Sequence, residues 1–251
     1  PVFSILDHWG DYERRFHGDR GALTAVPDLV FVPDDGARED LLRWGVAPDR
    51  LMVMGHPAFD HLADVRESFS EEVRWRVLGE LGVSSLAGVV VFVSEPAAAD
   101  HGYGDDRRSE AFVLRAVLGA LHEMPEEERP ALVVKLHPRE PVGKFDGLLV
   151  EFPDVETIVA PLSMDRHQVL LASDLVLGID SIMLLEAVAL GLRAFSVTLG
   201  VAESASMCVR TGMVGYVSDS DELREVLRVG LRTRVAPVEA FMSPSSGRIA
   251  N

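Results

Sequence analysis

Apolar residues in this chain fall in short continuous runs, separated by polar segments that carry glycine and proline. The runs lie at 2–6, 29–32, 51–54, 89–93, 132–136, 157–159, 175–177 and 194–197, with a weaker one at 216–217. They are rich in β-branched residues and do not alternate with polar ones. Such runs predict strands buried on both faces, as in a parallel sheet. Helical periodicity fills most of the gaps between them. Segment 109–121 places apolar residues at 111, 114, 117, 118 and 121, one face of a helix. Segments 37–44 and 70–81 stop at Gly45 and Gly82, and Ser70 followed by Glu71 and Glu72 has the chemistry of a capped start. Further helices are expected over 165–172, 181–190 (ending at Gly191) and 221–231. Strand–helix alternation at this spacing predicts a Rossmann-like, three-layer α/β architecture on a parallel sheet.

A seam is expected near residues 62–70. Three strands precede it, and five or six strands with intervening helices follow. Residues 1–62 therefore read as the C-terminal part of a first Rossmann-like domain, with its N-terminal part missing, and 63–251 as a complete second one. A chain that opens at Pro1 on a buried-looking strand is either a piece of something longer or the product of initiator-methionine removal. No charged n-region or cleavage pattern precedes that strand. The tail from Ser243 to Asn251 is polar and is expected to be loose.

Composition narrows the classes. The 251 residues are 47% hydrophobic and 25% charged, ordinary for a globular protein and too apolar for disorder. The 24 basic against 40 acidic side chains give a net charge of −16 with no basic stripe, which argues against nucleic acid and against docking on anionic lipid. One cysteine, Cys208, excludes an internal disulfide and a cysteine-rich zinc module. The longest uncharged stretch, 82–94, has 13 residues, too few to span a bilayer. A cytoplasmic location is expected, with association at the inner face of the membrane as a variant of it.

Candidate chemistry clusters at predicted strand ends, where open α/β sheets bind ligands. The first cluster is Lys135-Leu136-His137-Pro138-Arg139-Glu140, which brings an ammonium, an imidazole and a guanidinium together in a protein with only two lysines. That suits a phosphate or diphosphate. The plainer reading is a histidine bonded to backbone, with Arg139 and Glu140 as solvated rim charges. The second is Gly178-Ile179-Asp180-Ser181, a strand end with Ser181 at a helix start, where amides bind phosphate oxygens. Glu186 lies inside that apolar helix and is suited to ribose hydroxyls. Its alternative is a partly exposed side chain behind a plain cap. The third is the loop from Ser94 to Asp106, with Ser94, Glu95, Pro96, His101, Gly102 and Gly104, read as a substrate loop or a mobile surface loop.

Asp7-His8-Trp9 ends the first strand as an acid/base pair or, more simply, a strand-end cap, and Gly55-His56-Pro57 admits the same alternatives. Several motifs are set aside. His56 and His61 do not have zinc-ligand spacing. Asp219-Ser220-Asp221 opens a helix and reads as an N-cap rather than a metal-binding D-x-D. Asp34, Asp35, Glu39 and Asp40 read as a solvated helix start. Gly143-Lys144 lacks the rest of a P-loop, no nucleophile elbow surrounds Ser181, and Cys208 sits in no motif.

These segments, in order, carry a resemblance. Val26-Pro27-Asp28, Trp44-Gly45-Val46-Ala47-Pro48-Asp49-Arg50 and Gly55-His56-Pro57-Ala58-Phe59-Asp60 resemble the end of the N-terminal domain of GT-B glycosyltransferases. Lys135-Leu136-His137-Pro138 resembles the K-x-H-P strand end of capsule and teichoic-acid-type transferases. It is also similar to the H-R-R-E region of non-hydrolysing UDP-N-acetylglucosamine 2-epimerases. Ala172-Ser173-Asp174, Asp180-Ser181, Glu186-Ala187 and Leu190-Gly191 resemble the donor-binding stretch of that superfamily. Ile182-Met183 stands where the epimerases have two glycines.

The resemblance implies a nucleotide-diphosphate sugar as donor. It places Lys135, His137, Arg139, Asp180 and Ser181 at the diphosphate and Glu186 at the ribose. It implies sugar transfer to a glycan or lipid-linked acceptor in surface polysaccharide synthesis, with no cofactor and no metal, and with a missing N-terminal domain or partner subunit. Asp7 and His8 are then the residues from that side of the cleft. A sugar-nucleotide 2-epimerase and a non-catalytic nucleotide-sugar-binding subunit are the alternatives.

Overall fold

Two separate parallel sheets organise the chain. The computed structural model describes residues 1–10, 12–19, 22–96, 109–200 and 207–231. These fall into two compact units, and the chain divides between Asp64 and Val65.

The first unit holds β1 (Phe3–Ile5), α1 (Tyr12–Arg15), the short antiparallel pair β2 (Gly18–Asp19) and β3 (Ala22–Leu23), β4 (Leu29–Val32), α2 (Asp35–Arg43) and β5 (Leu51–Val53). Its sheet has the order β1-β4-β5, all parallel. Helix α2 packs on β4 and β5 and buries Val30, Val32 and Leu51. Asp34 starts α2 by accepting the Ala37 N–H at 2.8 Å, and its second oxygen takes the Trp9 indole N–H. The opposite sheet face leaves Phe3 60%, Ile5 48% and Met52 45% exposed. The expectation of strands buried on both faces therefore fails in this sheet, because the described residues supply a helix to one face.

The second unit contains α4 (Glu71–Leu81), β6 (Val89–Val93), α5 (Glu110–His122), β7 (Ala131–Lys135), α6 (Asp146–Leu149), β8 (Thr157–Val159) and α7 (Arg166–Ala172). It continues through β9 (Leu175–Gly178), α8 (Ile182–Ala189), β10 (Arg193–Val197), α9 (Met207–Arg210), β11 (Gly215–Val217) and α10 (Ser220–Gly230). Helix α3 (Leu62–Glu67) spans the junction of the two units. The six strands are parallel, in the order β11-β10-β9-β6-β7-β8.

Every residue of β6, β7 and β9 is buried, as their uninterrupted apolar runs require. One face packs Val90, Phe92, Leu132, Val134, Leu175 and Leu177 against α5 and α10. Helices α4, α7 and α8 pack together and α7 touches β6, which makes the three layers. Ser70 caps α4 through the Val73 N–H, and Gly82 ends it in the left-handed region at φ 77°. Asp174 pins the edge of this layer: it holds the Arg74 guanidinium at 2.9 and 3.0 Å and accepts the Val89 N–H at 2.9 Å.

The motifs set aside are structural here. Asp219 caps α10 by accepting the Asp221 and Glu222 N–H groups, each at 2.9 Å. His56 accepts the Ala58 N–H at Nδ1, so its proton sits on Nε2, 2.9 Å from the Asp7 carbonyl. Among the described residues, no helix is long and apolar enough to cross a membrane, and no three His, Cys, Asp or Glu side chains form a metal-binding group.

Candidate functional site

The chain order of the second sheet reverses between β6 and β9. Strands β6, β7 and β8 run outward one way, and β9, β10 and β11 run outward the other. Loops leaving the carboxyl ends of β6 and β9 therefore diverge and open a crevice, the place where doubly wound sheets take their ligands. Close packing keeps the two strands together there. A Cβ on Gly178 would lie 2.5 Å from Val93 Cγ2 and 3.2 Å from the Val93 carbonyl, so only glycine lets β9 approach β6 this closely.

The crevice floor is built from both ends. Glu95, just after β6, accepts the Asp180 N–H at 2.8 Å across the switch point. Asp180 in turn accepts the Cys208 N–H at 2.9 Å, and the Cys208 thiol donates to the Ser181 carbonyl at 3.3 Å. Ser181 is the N-cap of α8, its hydroxyl 3.4 Å from the Met183 N–H. Burial, with the nearby carboxylates of Asp180, Glu110 and Glu140, pushes the Glu95 carboxyl up to about 8. Burial also pushes the Cys208 thiol well up, so it stays neutral.

The wall on the β7 side is a turn closed by its own last residue. Glu140 accepts the His137 N–H at 2.7 Å, while its N–H bonds the His137 carbonyl at 2.9 Å. The buried Ser94 hydroxyl donates to the other Glu140 oxygen at 2.9 Å. Lys144 reaches that same oxygen and lies 3.3 Å from the buried Glu110. His137 accepts the Arg139 N–H at Nδ1, 3.1 Å, so it carries its proton on Nε2 as a donor. Within α8, Glu186 is 1% exposed and held bidentately by Arg166 at 2.9 and 3.1 Å, with His167 Nε2 3.4 Å away.

No family model and no curated protein matches this sequence. Solved structures do. UDP-GlcNAc 2-epimerase from Neisseria meningitidis, bound to UDP-GlcNAc, superposes with a TM-score of 0.63 at 15% identity, covering 91% of this chain and 62% of that one. The epimerase from Methanocaldococcus jannaschii gives 0.60 at 18% identity, over 89% and 61%. Anabaena HepE in complex with UDP gives 0.58 at 14% identity, over 100% and 67%. The fold is GT-B-like. This chain spans about three fifths of the length of the epimerase structures it matches.

On this GT-B-like frame the sequence-derived residues separate. His137, Arg139, Asp180, Ser181, Ser94 and Glu95 all belong to the carboxyl ends of β6, β7 and β9, with Arg139 exposed and His137 half-buried. Lys135 does not bring a spare charge to them. Its buried ammonium donates to the Pro161 and Met164 carbonyls, both at 3.1 Å, and burial lowers its pKa. A buried ammonium needs acceptors, and the turn before α7 supplies them. A diphosphate contact from Lys135 would compete with these two carbonyl bonds.

Asp180 likewise offers its N–H to Glu95 and its carboxylate to Cys208. Glu140 is buried, not a solvated rim charge. In the first unit, Asp7 pairs with Arg15, whose hydrogen bond and charge outweigh burial and hold the carboxyl below its usual range. That suits a strand-end cap better than a general base. His101, Gly102 and Gly104 of the substrate loop, and the 243–251 tail, lie outside the described residues.

Arg166, which pairs with Glu186, and Glu110 and Lys144, which pair with each other beside Glu140, were not singled out from the sequence. A buried carboxylate in mid-helix demands a cation, and Asp165-Arg166-His167 at the preceding helix start was the signal for it. A groove of about 730 Å³, lined by Ser84, Ser85, Arg129, Asp154 and Glu156, lies at the amino ends of β6–β8. It is remote from the crevice, and its carboxylates oppose an anion.

Proposed function

We propose that this chain is the donor-binding part of a GT-B-type enzyme that takes a nucleotide-diphosphate sugar and transfers the sugar to a glycan or lipid-linked acceptor. The crevice at the β6–β9 switch point supports this reading, because the Ser181-capped start of α8 and the turn bearing His137 and Arg139 both follow carboxyl ends of strands in the same sheet. In the transfer, an acceptor hydroxyl attacks the anomeric carbon while the bond to phosphate oxygen breaks, and its proton passes to a base. The diphosphate leaves with the bonding pair, and amides and cations aimed at it stabilise the developing charge. Glu186, oriented by Arg166, takes the ribose hydroxyls. Surface polysaccharide synthesis at the cytoplasmic face of a membrane is the setting this chemistry fits.

A second reading is a sugar-nucleotide 2-epimerase, favoured because epimerases are among the similar structures. A third is a nucleotide-sugar-binding subunit whose partner covers the exposed Phe3, Ile5 and Met52 face.

A thermal-shift panel with UDP, GDP, CDP, ADP and dTDP tests the shared core of these readings. Ligand at about 100 times its dissociation constant adds roughly 2.7 kcal/mol, a rise of several degrees. Loss of the shift in Glu186→Gln supports the site, and no shift with any diphosphate contradicts it. Incubation with UDP-GlcNAc and no acceptor then separates the enzymes, because only an epimerase turns it over.

A further inference from the structure

A buried carboxylate closes the turn that carries His137. Glu140 is 6% exposed, although its neighbour Arg139 is exposed and His137 only half-buried. A carboxylate is stable in such a place only with donors around it. Glu140 has them from three parts of the chain. One oxygen accepts the His137 N–H at 2.7 Å, and the other accepts the Ser94 hydroxyl at 2.9 Å and is reached by the Lys144 ammonium. Ser94 is itself fixed, because its N–H bonds the Lys135 carbonyl at 2.9 Å. The side chain thus straps the turn to the carboxyl end of β6. The geometry points to Glu140 as the positioning residue of His137: it sets the turn that keeps the imidazole an Nε2–H donor for the diphosphate. This rests on the nucleotide-binding reading above, and adds to it the group that prepares His137.

The link from carboxylate to ring runs through the turn. Arg139 gives its N–H to His137 Nδ1 at 3.1 Å, which keeps a proton off that nitrogen and leaves it on Nε2. That contact needs the His137 and Arg139 backbones held in one arrangement across Pro138. Two bonds hold them: the Glu140 N–H to the His137 carbonyl at 2.9 Å, and the His137 N–H to the Glu140 carboxylate. The first is made by the backbone whatever side chain stands at 140. The second depends on the carboxylate and, being charge-assisted, is of the stronger kind. Without it the His137 N–H loses its acceptor and the turn is untied from Ser94, so the ring is free to carry its proton on either nitrogen. With the proton on Nδ1, Nε2 becomes an acceptor, which repels a phosphate oxygen instead of binding it.

The test is a long-range proton–nitrogen correlation spectrum of the histidine rings, recorded on the whole chain and on Glu140→Ala at about pH 8, where an ordinary imidazole is neutral. His137→Ala assigns the His137 signals. UDP affinity is then measured by calorimetry on the parent, the two single variants and the double variant. The parent shows His137 as one Nε2–H tautomer, and Glu140→Ala shows a mixture. Glu140→Ala also weakens UDP by about fivefold, the worth of one misplaced hydrogen bond, and costs nothing further once His137 is alanine. An unchanged tautomer, or an equal loss of affinity in both backgrounds, overturns the inference, since a merely structural glutamate would act without His137. If UDP does not bind the parent, the nucleotide reading fails and the tautomer alone decides the role of Glu140. If Glu140→Ala does not fold, Glu140→Gln keeps the bulk of the side chain but offers one acceptor oxygen to three donors, and it is judged by the same criteria.

Discussion

Replacing Glu95 by glutamine should stabilise the second unit, and by more at high pH than at low. The native carboxyl titrates near 8 against 4.5 for an ordinary one, so between those values the folded chain holds a proton that the unfolded chain has released. Unfolding free energy therefore falls as pH rises: stability is whole below about 4.5 and is lost progressively up to about 8. The slope is about 1.4 kcal/mol per pH unit, which gives about 3 kcal/mol by pH 7 and about 5 kcal/mol above pH 8. Glutamine keeps the shape and the oxygen that accepts the Asp180 N–H, but it has no proton to lose. Its advantage over the parent should grow by about 3 kcal/mol between pH 5.5 and 8.5, or roughly 6–12 °C in Tm. Cys208 supplies the assay. It is the single cysteine and is buried in the second unit, so pulsed thiol labelling across a urea series reports unfolding of that unit alone. An advantage that stays level across pH refutes the reasoning.

Other substitutions probe the frame around the crevice. Gly178→Ala drives a Cβ into Val93 and should cost about 1–3 kcal/mol by thermal denaturation, with part of it recovered by adding Val93→Ala. A fully stable single variant contradicts the close approach of β6 and β9. Asp174→Ala removes the partner of Arg74 and the acceptor of the Val89 N–H, and should cost about 2–4 kcal/mol in urea unfolding. Lys135→Met strips two carbonyls of their donor and should lower stability by about 1–3 kcal/mol while leaving UDP affinity nearly unchanged. A large loss of affinity at unchanged stability would return Lys135 to the diphosphate. Arg166→Ala leaves Glu186 without its bidentate partner and should weaken nucleotide binding severalfold, with only partial rescue by Arg166→Lys, which lacks the planar fork.

Strands were the legible part of this chain. Runs such as Val89–Val93 and Leu175–Leu177 are uninterrupted because both faces are covered, and burial of that kind writes itself directly into the sequence. Caps were legible too, since Ser70, Ser181 and Asp219 bond amides only two or three residues away. The four-residue helices at Tyr12–Arg15, Asp146–Leu149 and Met207–Arg210 were not, being too short to show a period.

The site was half legible for the same reason. The strand ends bearing His137, Ser181 and Glu95 announce themselves locally. The partners of Lys135 lie far along the chain, at Pro161 and Met164, and the burial of Glu140 involves the distant Ser94 as well as the local His137 N–H and Lys144. A lysine at a strand end reads as a free charge although its ammonium bonds two carbonyls, and a glutamate after Arg139 reads as a rim charge when it is a buried acceptor.

The central claim is that an anionic nucleotide sits at the switch point of the second sheet. A crystal of this chain soaked at saturating UDP tests it most directly. The expected result is diphosphate density against the amides at the start of α8, beside His137 and Arg139, with the ribose over Glu186. Density in the groove between Ser84 and Glu156, or a crevice that stays unchanged at saturation, would contradict it.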